Sequence, residues 1–141
     1  MINSIEPILV IIGTRPEAIK MAPVIYELKK SYKVKICNSG QHQEMINQVL
    51  NLFNIKADFD LNIMKDNQDL IDINIKVLRG VKKVLLSEKF SIVIVHGDTS
   101  TTMSASLAAF YLKIPVYHVE AGLRTNNIDS PFPEELNRQI V

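Results

Sequence analysis

Two short aliphatic runs, Ile8-Leu-Val-Ile-Ile12 and Ser91-Ile-Val-Ile-Val-His96, constrain this chain more than any other feature. Neither alternates apolar with polar residues, so each must be a strand covered on both faces, the condition inside a parallel sheet. Each is followed by a glycine, Gly13 or Gly97. Amphipathic stretches lie between the apolar runs. Met21, Val24, Ile25 and Leu28 fall on one helical stripe, and Met45, Ile46, Val49, Leu50 and Phe53 mark another. Leu70, Ile71, Ile73, Val77, Leu78, Val81, Val84 and Leu85 predict a long third helix, and Leu107, Ala108 and Tyr111 help to give a fourth its face. Shorter strands are expected over Lys33 to Asn38, within Asp58 to Ile63, and over Pro115 to Val119. A last helix opens at Pro133, where a missing N–H costs nothing. Pro23 predicts a kink or a restarted turn in the first helix.

Strand and helix alternating in this way mean βαβ units and parallel pairing. The expected fold is α/β and Rossmann-like, with strand order 3-2-1-4-5 and a ligand crevice beyond the first and fourth strands. The 141 residues read as one domain, 1–141, large enough for a core without disulfide or metal staples. A formal charge of +1 supplies no field for nucleic acid or anionic lipid, and Cys37 is the single cysteine. No apolar run approaches the ~20 residues of a membrane span, and the amino terminus lacks a signal-peptide pattern. The expected setting is cytoplasmic.

Three segments past the strands carry the chemistry. In Gly13-Thr-Arg-Pro-Glu-Ala-Ile-Lys20, Thr14 and Glu17 match a capping box that competes with Arg15 as the cap. Arg15 and Lys20 then stand near a helix opening that already favours anions, as a diphosphate or carboxylate ligand would require. Without such a ligand they are two solvated cations on a capped helix. In His96-Gly-Asp-Thr-Ser-Thr-Thr102, Asp98 faces the crevice, unless it or Thr99 merely caps the next helix. His96 reads as a satisfied core histidine. In His118-Val-Glu-Ala-Gly-Leu-Arg124, Glu120 falls on the same edge, and two carboxylates in one crevice can divide into an acid and a base. Arg124 could pair with one of them and keep it ionised. Glu134 and Glu135 suit the first turn of the last helix, which pattern alone cannot separate from a catalytic role. His42 has no ligand partner at metal spacing, and no metal site is expected.

Taken in order, GTRPEAIKMAP at 13–23, GQHQEM at 40–45, HGDTSTT at 96–102, HVEAGLRT at 118–125 and SPFPEELNR at 130–138 resemble the non-hydrolysing bacterial UDP-N-acetylglucosamine 2-epimerases. The resemblance covers essentially the whole chain. It implies the N-terminal domain of a two-domain, glycosyltransferase-B-like fold with its active site between two Rossmann-like domains. It implies interconversion of UDP-N-acetylglucosamine and UDP-N-acetylmannosamine through elimination and re-addition of UDP, without cofactor or metal, in a homodimer. By motif, Arg15 and Lys20 resemble substrate contacts. Asp98 and Glu120 resemble residues that both bind substrate and move the C2 proton, with Glu134 as a further acid or base. Gln41 and Glu44 match a motif that, in some members, touches a second, regulatory nucleotide-sugar.

Members of that family are more than twice this length, so the resemblance is to the N-terminal part, and little or no turnover is expected from this chain alone. The residues leave two other readings open. One is a hydrolysing epimerase that releases free N-acetylmannosamine, and the other is a non-catalytic nucleotide-sugar-binding module.

Overall fold

The first apolar run forms strand β1 (Ile8–Ile12), whose side chains alternate between two separate cores. Ile8, Val10 and Ile12 pack with Met21, Ile25, Ile46 and Leu50, whereas Leu9 and Ile11 pack with Val77, Val81, Ala105 and Ala109. Every residue of β1 is buried, as two covered faces require. The structure is a computed structural model and describes residues 6–41 and 43–141.

After β1 come α1 (Arg15–Lys29), β2 (Val34–Asn38), α2 (Gln43–Leu52), β3 (Phe59–Asp60), α3 (Leu70–Ser87), β4 (Ile92–His96), α4 (Ser100–Tyr111), β5 (Val116–Val119) and α5 (Glu134–Ile140). The strands form one parallel sheet in the order β3-β2-β1-β4-β5. Helices α1 and α2 cover one face, and α3 and α4 cover the other. The chain therefore leaves β1 toward one face and β4 toward the opposite face, although the two strands are neighbours with Ile8 beside Ile92. That divergence opens the crevice.

Several expectations need correction. Helix α1 runs through Pro23 without interruption. Pro23 lies on the exposed side, where the Ile19 carbonyl that it leaves unbonded can turn to water. Tyr111 is 68% exposed, and α4 instead buries the small residues Thr101, Thr102, Ala105, Ala108 and Ala109. Leu70 and Ile71 are exposed too, so the buried stripe of α3 begins later in the helix. The third strand is cut to two residues, followed closely by Asn62 in a left-handed conformation at φ +47°. Met45, expected in the core, is exposed and faces the crevice.

Candidate active site

Local rules shape the turn after β1. Thr14 is extended (φ −128°, ψ 161°) and occupies the cap of α1, so Arg15 and Pro16 become the first two helical residues. Glu17 reaches back from the third position, and its Oε2 accepts the Gly13 N–H at 2.6 Å and the Thr14 N–H at 2.8 Å. Its Oε1 accepts the Thr99 hydroxyl at 2.6 Å and the Thr102 hydroxyl at 3.4 Å. One buried carboxylate thus joins the turn after β1 to the turn after β4. Burial pushes Glu17 above the usual carboxylate range, with these hydrogen bonds pulling the other way. Gly13 itself is packed so closely between the end of β2 and the first turn of α4 that a Cβ there would fall 2.3 Å from Ser39 Oγ and 2.5 Å from Thr101 Oγ1.

Beyond β4 the need for glycine is conformational. Gly97 has φ +70°, while an added Cβ there would meet nothing within 4 Å. His118 Nε2 donates to the Gly97 carbonyl at 2.6 Å, and the Thr102 hydroxyl donates to the His96 carbonyl at 2.6 Å. Thr99 caps α4 by accepting the Thr102 N–H at 3.2 Å, which releases the Asp98 carboxylate from capping. Asp98 Oδ2 instead accepts Arg138 Nε at 2.9 Å and lies 2.8 Å from Arg138 Nη2. Asn137 Nδ2 donates to the Asp98 main-chain carbonyl at 2.7 Å, so α5 clamps this turn from outside the sheet.

Glu120 follows β5 with φ +60°, a backbone region that a glutamate occupies only at a cost. Lys20 Nζ donates to its Oε2 at 2.6 Å. His96 Nε2 lies 3.4 Å from the same oxygen, and Arg138 Nη2 lies 3.7 Å from Oε1. Arg138 Nη1 also donates to the Glu120 main-chain carbonyl. The Lys20 hydrogen bond is the main cause that holds Glu120 below the usual carboxylate range. His96 is 5% exposed, and burial keeps it below its ordinary value against the pull of Glu120. Its Nδ1 is buried with no hydrogen-bond partner among the described residues. It is therefore not the satisfied core histidine expected from its place at the end of an apolar run.

Arg15, Lys20, Asp98 and Glu120 line one cavity of about 480 Å³, with His96 in its wall and Met45 at its α2 side. Arg15 is exposed and pairs with no acidic side chain among the described residues. Glu134 lies instead with Asp98, Arg124 and Arg138 around an adjoining hollow of about 270 Å³, its Oε2 buried and unpartnered among the described residues. Asp98 borders both spaces. Arg124 pairs with neither Asp98 nor Glu120. Its Nη2 and Nε donate to Glu135 Oε1 at 2.7 Å and 3.0 Å, and the Thr125 N–H donates to Oε2 at 2.8 Å. The guanidinium first, and then that N–H, bring Glu135 down to about 2. Gln41 Oε1 accepts the Thr101 hydroxyl at 2.9 Å. Glu44 belongs to α2 by its backbone, but its side chain, like the whole of His42, lies outside the described residues.

Arg138 is the participant that sequence reasoning passed over, and Glu17 and His96 take roles beyond the cap and the core histidine read from their patterns. The capping-box match did single out Glu17, but only as a local cap. Arg138 stands inside a quoted motif, in a helical turn whose neighbours Asn137 and Ile140 give no sign that a cation is buried there. Its burial follows from the two carboxylates it meets.

A doubly wound parallel sheet with cations and carboxylates gathered beyond its two divergent strands defines the class: a Rossmann-like domain with a charged crevice at its switch point. The sequence profile described as UDP-N-acetylglucosamine 2-epimerase matches residues 26–141, and the chain belongs to that family. It is 56% identical to the UDP-N-acetylglucosamine 2-epimerase of Campylobacter jejuni, over 97% of this chain and 36% of that protein. The crystal structure of the Neisseria meningitidis UDP-GlcNAc 2-epimerase bound to UDP-GlcNAc superposes with a TM-score of 0.90 at 58% identity, covering 95% of this chain and 37% of that one. The Methanocaldococcus jannaschii UDP-GlcNAc 2-epimerase in complex with UDP-GlcNAc and UDP gives 0.88 at 37% identity, covering 95% and 37%. The chain thus spans little more than a third of the length of these relatives. No helix among the described residues is long and apolar enough to cross a membrane.

Proposed function

We propose that this chain forms the N-terminal wall of an active site that interconverts UDP-N-acetylglucosamine and UDP-N-acetylmannosamine. One observation carries the reading: two cations and two carboxylates, from the ends of three different strands, face a single cavity. In this reading residues 1–141 are the first of two domains, and the second domain supplies the remaining contacts to the nucleotide. A homodimer and a cytoplasmic location belong to the same proposal, as does a regulatory contact at Gln41 and Glu44.

Arg15 and Lys20 hold the diphosphate, the planar fork of Arg15 spanning two oxygens and Lys20 acting as a mobile point charge. Glu120 or Asp98 takes the proton from C2 while the C1–O bond breaks, and UDP departs with the bonding pair. The intermediate is 2-acetamidoglucal. A proton returned to the opposite face of C2, with UDP re-adding at C1, gives the epimer. Positive charge beside the departing diphosphate is the preorganised stabilisation that most lowers such a barrier. The Lys20–Glu120 pair suggests how binding primes the base. A diphosphate that draws Lys20 away removes the main cause of the low Glu120 pKa and makes that carboxylate more basic. Glu134, beyond Asp98 in the adjoining hollow, serves as the further acid or base.

Titration calorimetry of the chain with UDP-N-acetylglucosamine, paired with product analysis, tests the reading. The expected result is binding that Lys20→Ala weakens at least several-fold, with little or no turnover. Free N-acetylmannosamine would identify a hydrolysing enzyme. Binding that is indifferent to both Lys20→Ala and Arg15→Ala would overturn the assignment of this cavity.

A further inference from the structure

Glu120 is held by three cationic or hydrogen-bonding side chains, two of which have other obvious work. Lys20 is exposed at the mouth, and Arg138 is committed to Asp98. The third, His96, sits in the cavity wall with Nε2 3.4 Å from Glu120 Oε2, while its Nδ1 is buried and unpartnered among the described residues. These two facts together determine the state of the ring. A proton on Nδ1 would create a buried N–H without an acceptor, one of the costlier defects a protein interior can hold. A bare lone pair on Nδ1 is tolerated more easily, and it leaves the single proton of a neutral imidazole on Nε2, the nitrogen 3.4 Å from the carboxylate. Protonating both nitrogens would restore the orphaned N–H, and it would add a third cation beside Lys20 of α1 and Arg138 of α5.

We propose that His96 is a positioning residue for Glu120: an imidazole neutral at pH 7 that donates its Nε2–H to Oε2 and so biases which carboxylate oxygen is presented to the cavity. Oε2 is occupied by Lys20 and His96, whereas Oε1 has only Arg138 Nη2 beside it, at 3.7 Å, and is the oxygen more open to a ligand. Burial lowers the affinity of the ring for a second proton, in keeping with that role. The Thr102 hydroxyl donates to the His96 main-chain carbonyl at 2.6 Å and so fixes the backbone from which the ring projects. The assignment of Glu120 as the proton-transferring group rests on the function proposed above. The state of the ring and its contact with Glu120 do not.

Nitrogen-15 NMR of the imidazoles in the 141-residue chain tests this directly. The expected signature for His96 is a neutral ring protonated on Nε2 at pH 7 to 8, with a titration midpoint below the ordinary histidine value. Glu120→Gln should shift the His96 Nε2 signal and move that midpoint lower still, because it removes the one negative charge that raises it. His96→Gln keeps an N–H that can reach Glu120, and should leave the Glu120 carboxyl midpoint near its native value, whereas His96→Leu should move it upward. A ring protonated on Nδ1, a doubly protonated ring at pH 7, or a His96 signal indifferent to Glu120→Gln would overturn the proposal, and the wild-type measurement alone suffices if His96→Leu fails to fold. Loss of nucleotide-sugar binding with the Nε2–H signature intact would count against the proposed function and leave this inference standing.

Discussion

Replacing Glu17 separates what a carboxylate contributes as an acceptor from what it costs as a buried charge. Glu17→Ala leaves the Gly13 and Thr14 N–H groups, both buried beside the β1–α1 turn, without their acceptor, and frees the Thr99 and Thr102 hydroxyls. The hydroxyls can turn to other partners, but the two main-chain donors cannot. At about 1–3 kcal/mol for each orphaned donor, less the relief from no longer burying a charge, the net loss is about 2–4 kcal/mol. A domain of ordinary stability holds about 5–15 kcal/mol, so the variant should fold but unfold at about 1–2 M lower urea, for a slope of about 2 kcal/mol per molar. Glu17→Gln should behave differently, because its carbonyl can accept the main-chain pair and its amide can donate to the hydroxyls.

The pH dependence of the same pair is a second arm. The folded pKa of Glu17 lies above the ordinary 4.5, so the folded chain binds this proton more tightly than the unfolded chain. The associated stability is fully present below 4.5 and is lost as pH rises through the folded value. Glu17→Gln removes that loss, so its stability should gain on the wild type as pH rises from 4.5. Urea titrations read by circular dichroism at several pH values measure both effects. Equal midpoints for wild type and Glu17→Ala would mean that the carboxylate's desolvation cancels its hydrogen bonds, and the account of this turn would be wrong.

Gly13→Ala and Gly97→Ala should fail for different reasons. The first meets two side-chain oxygens and should cost about 1–3 kcal/mol through repacking, and the second only strains the backbone, about 1–2 kcal/mol, with Gly97→Asn recovering part of it. Thermal melts of the three variants distinguish the two causes, and a harmless Gly13→Ala would refute the close packing of Ser39 and Thr101 around Gly13. For Glu135, whose folded pKa of about 2 lies below its ordinary 4.5, the linked stability is present above pH 4.5 and is lost as pH falls toward 2. Arg124→Ala should raise that folded value and flatten the dependence of Tm on pH across the window, while lowering Tm at neutral pH. An unchanged slope would show that Thr125 and Gln139 hold the carboxylate down without the guanidinium.

Features carried by adjacent residues were legible from the letters alone. An unbroken aliphatic run such as Ile8–Ile12 can only be a strand with both faces covered, because any exposed face would have demanded polar alternation. From that and the helical stripes came the sheet and its order, β3-β2-β1-β4-β5. The capping box of Thr14 and Glu17 was equally local, since a side chain three residues into a helix has few main-chain donors within reach. The face of α4 was not legible. Ser100–Tyr111 mixes small and apolar residues around the whole helix, so periodicity could not reveal that close packing, tight enough to exclude a Cβ at Gly13, selects the small side chains and leaves Tyr111 outside.

The contacts that make the cavity a chemical site lie further from the reach of pattern. Glu17 meets Thr99 across 82 residues, Lys20 meets Glu120 across 100, and Arg138 meets Asp98 across 40. The motifs told which residues to watch, but nothing in them distinguished Arg124 from Arg138 as the partner of the crevice carboxylates, or a core imidazole from one turned toward Glu120. A hydrogen bond depends on tenths of an ångström, and those distances follow from how whole helices settle on the sheet. Secondary structure is governed by neighbours along the chain, whereas the charge state of Glu120 depends on atoms that only packing brings to its side.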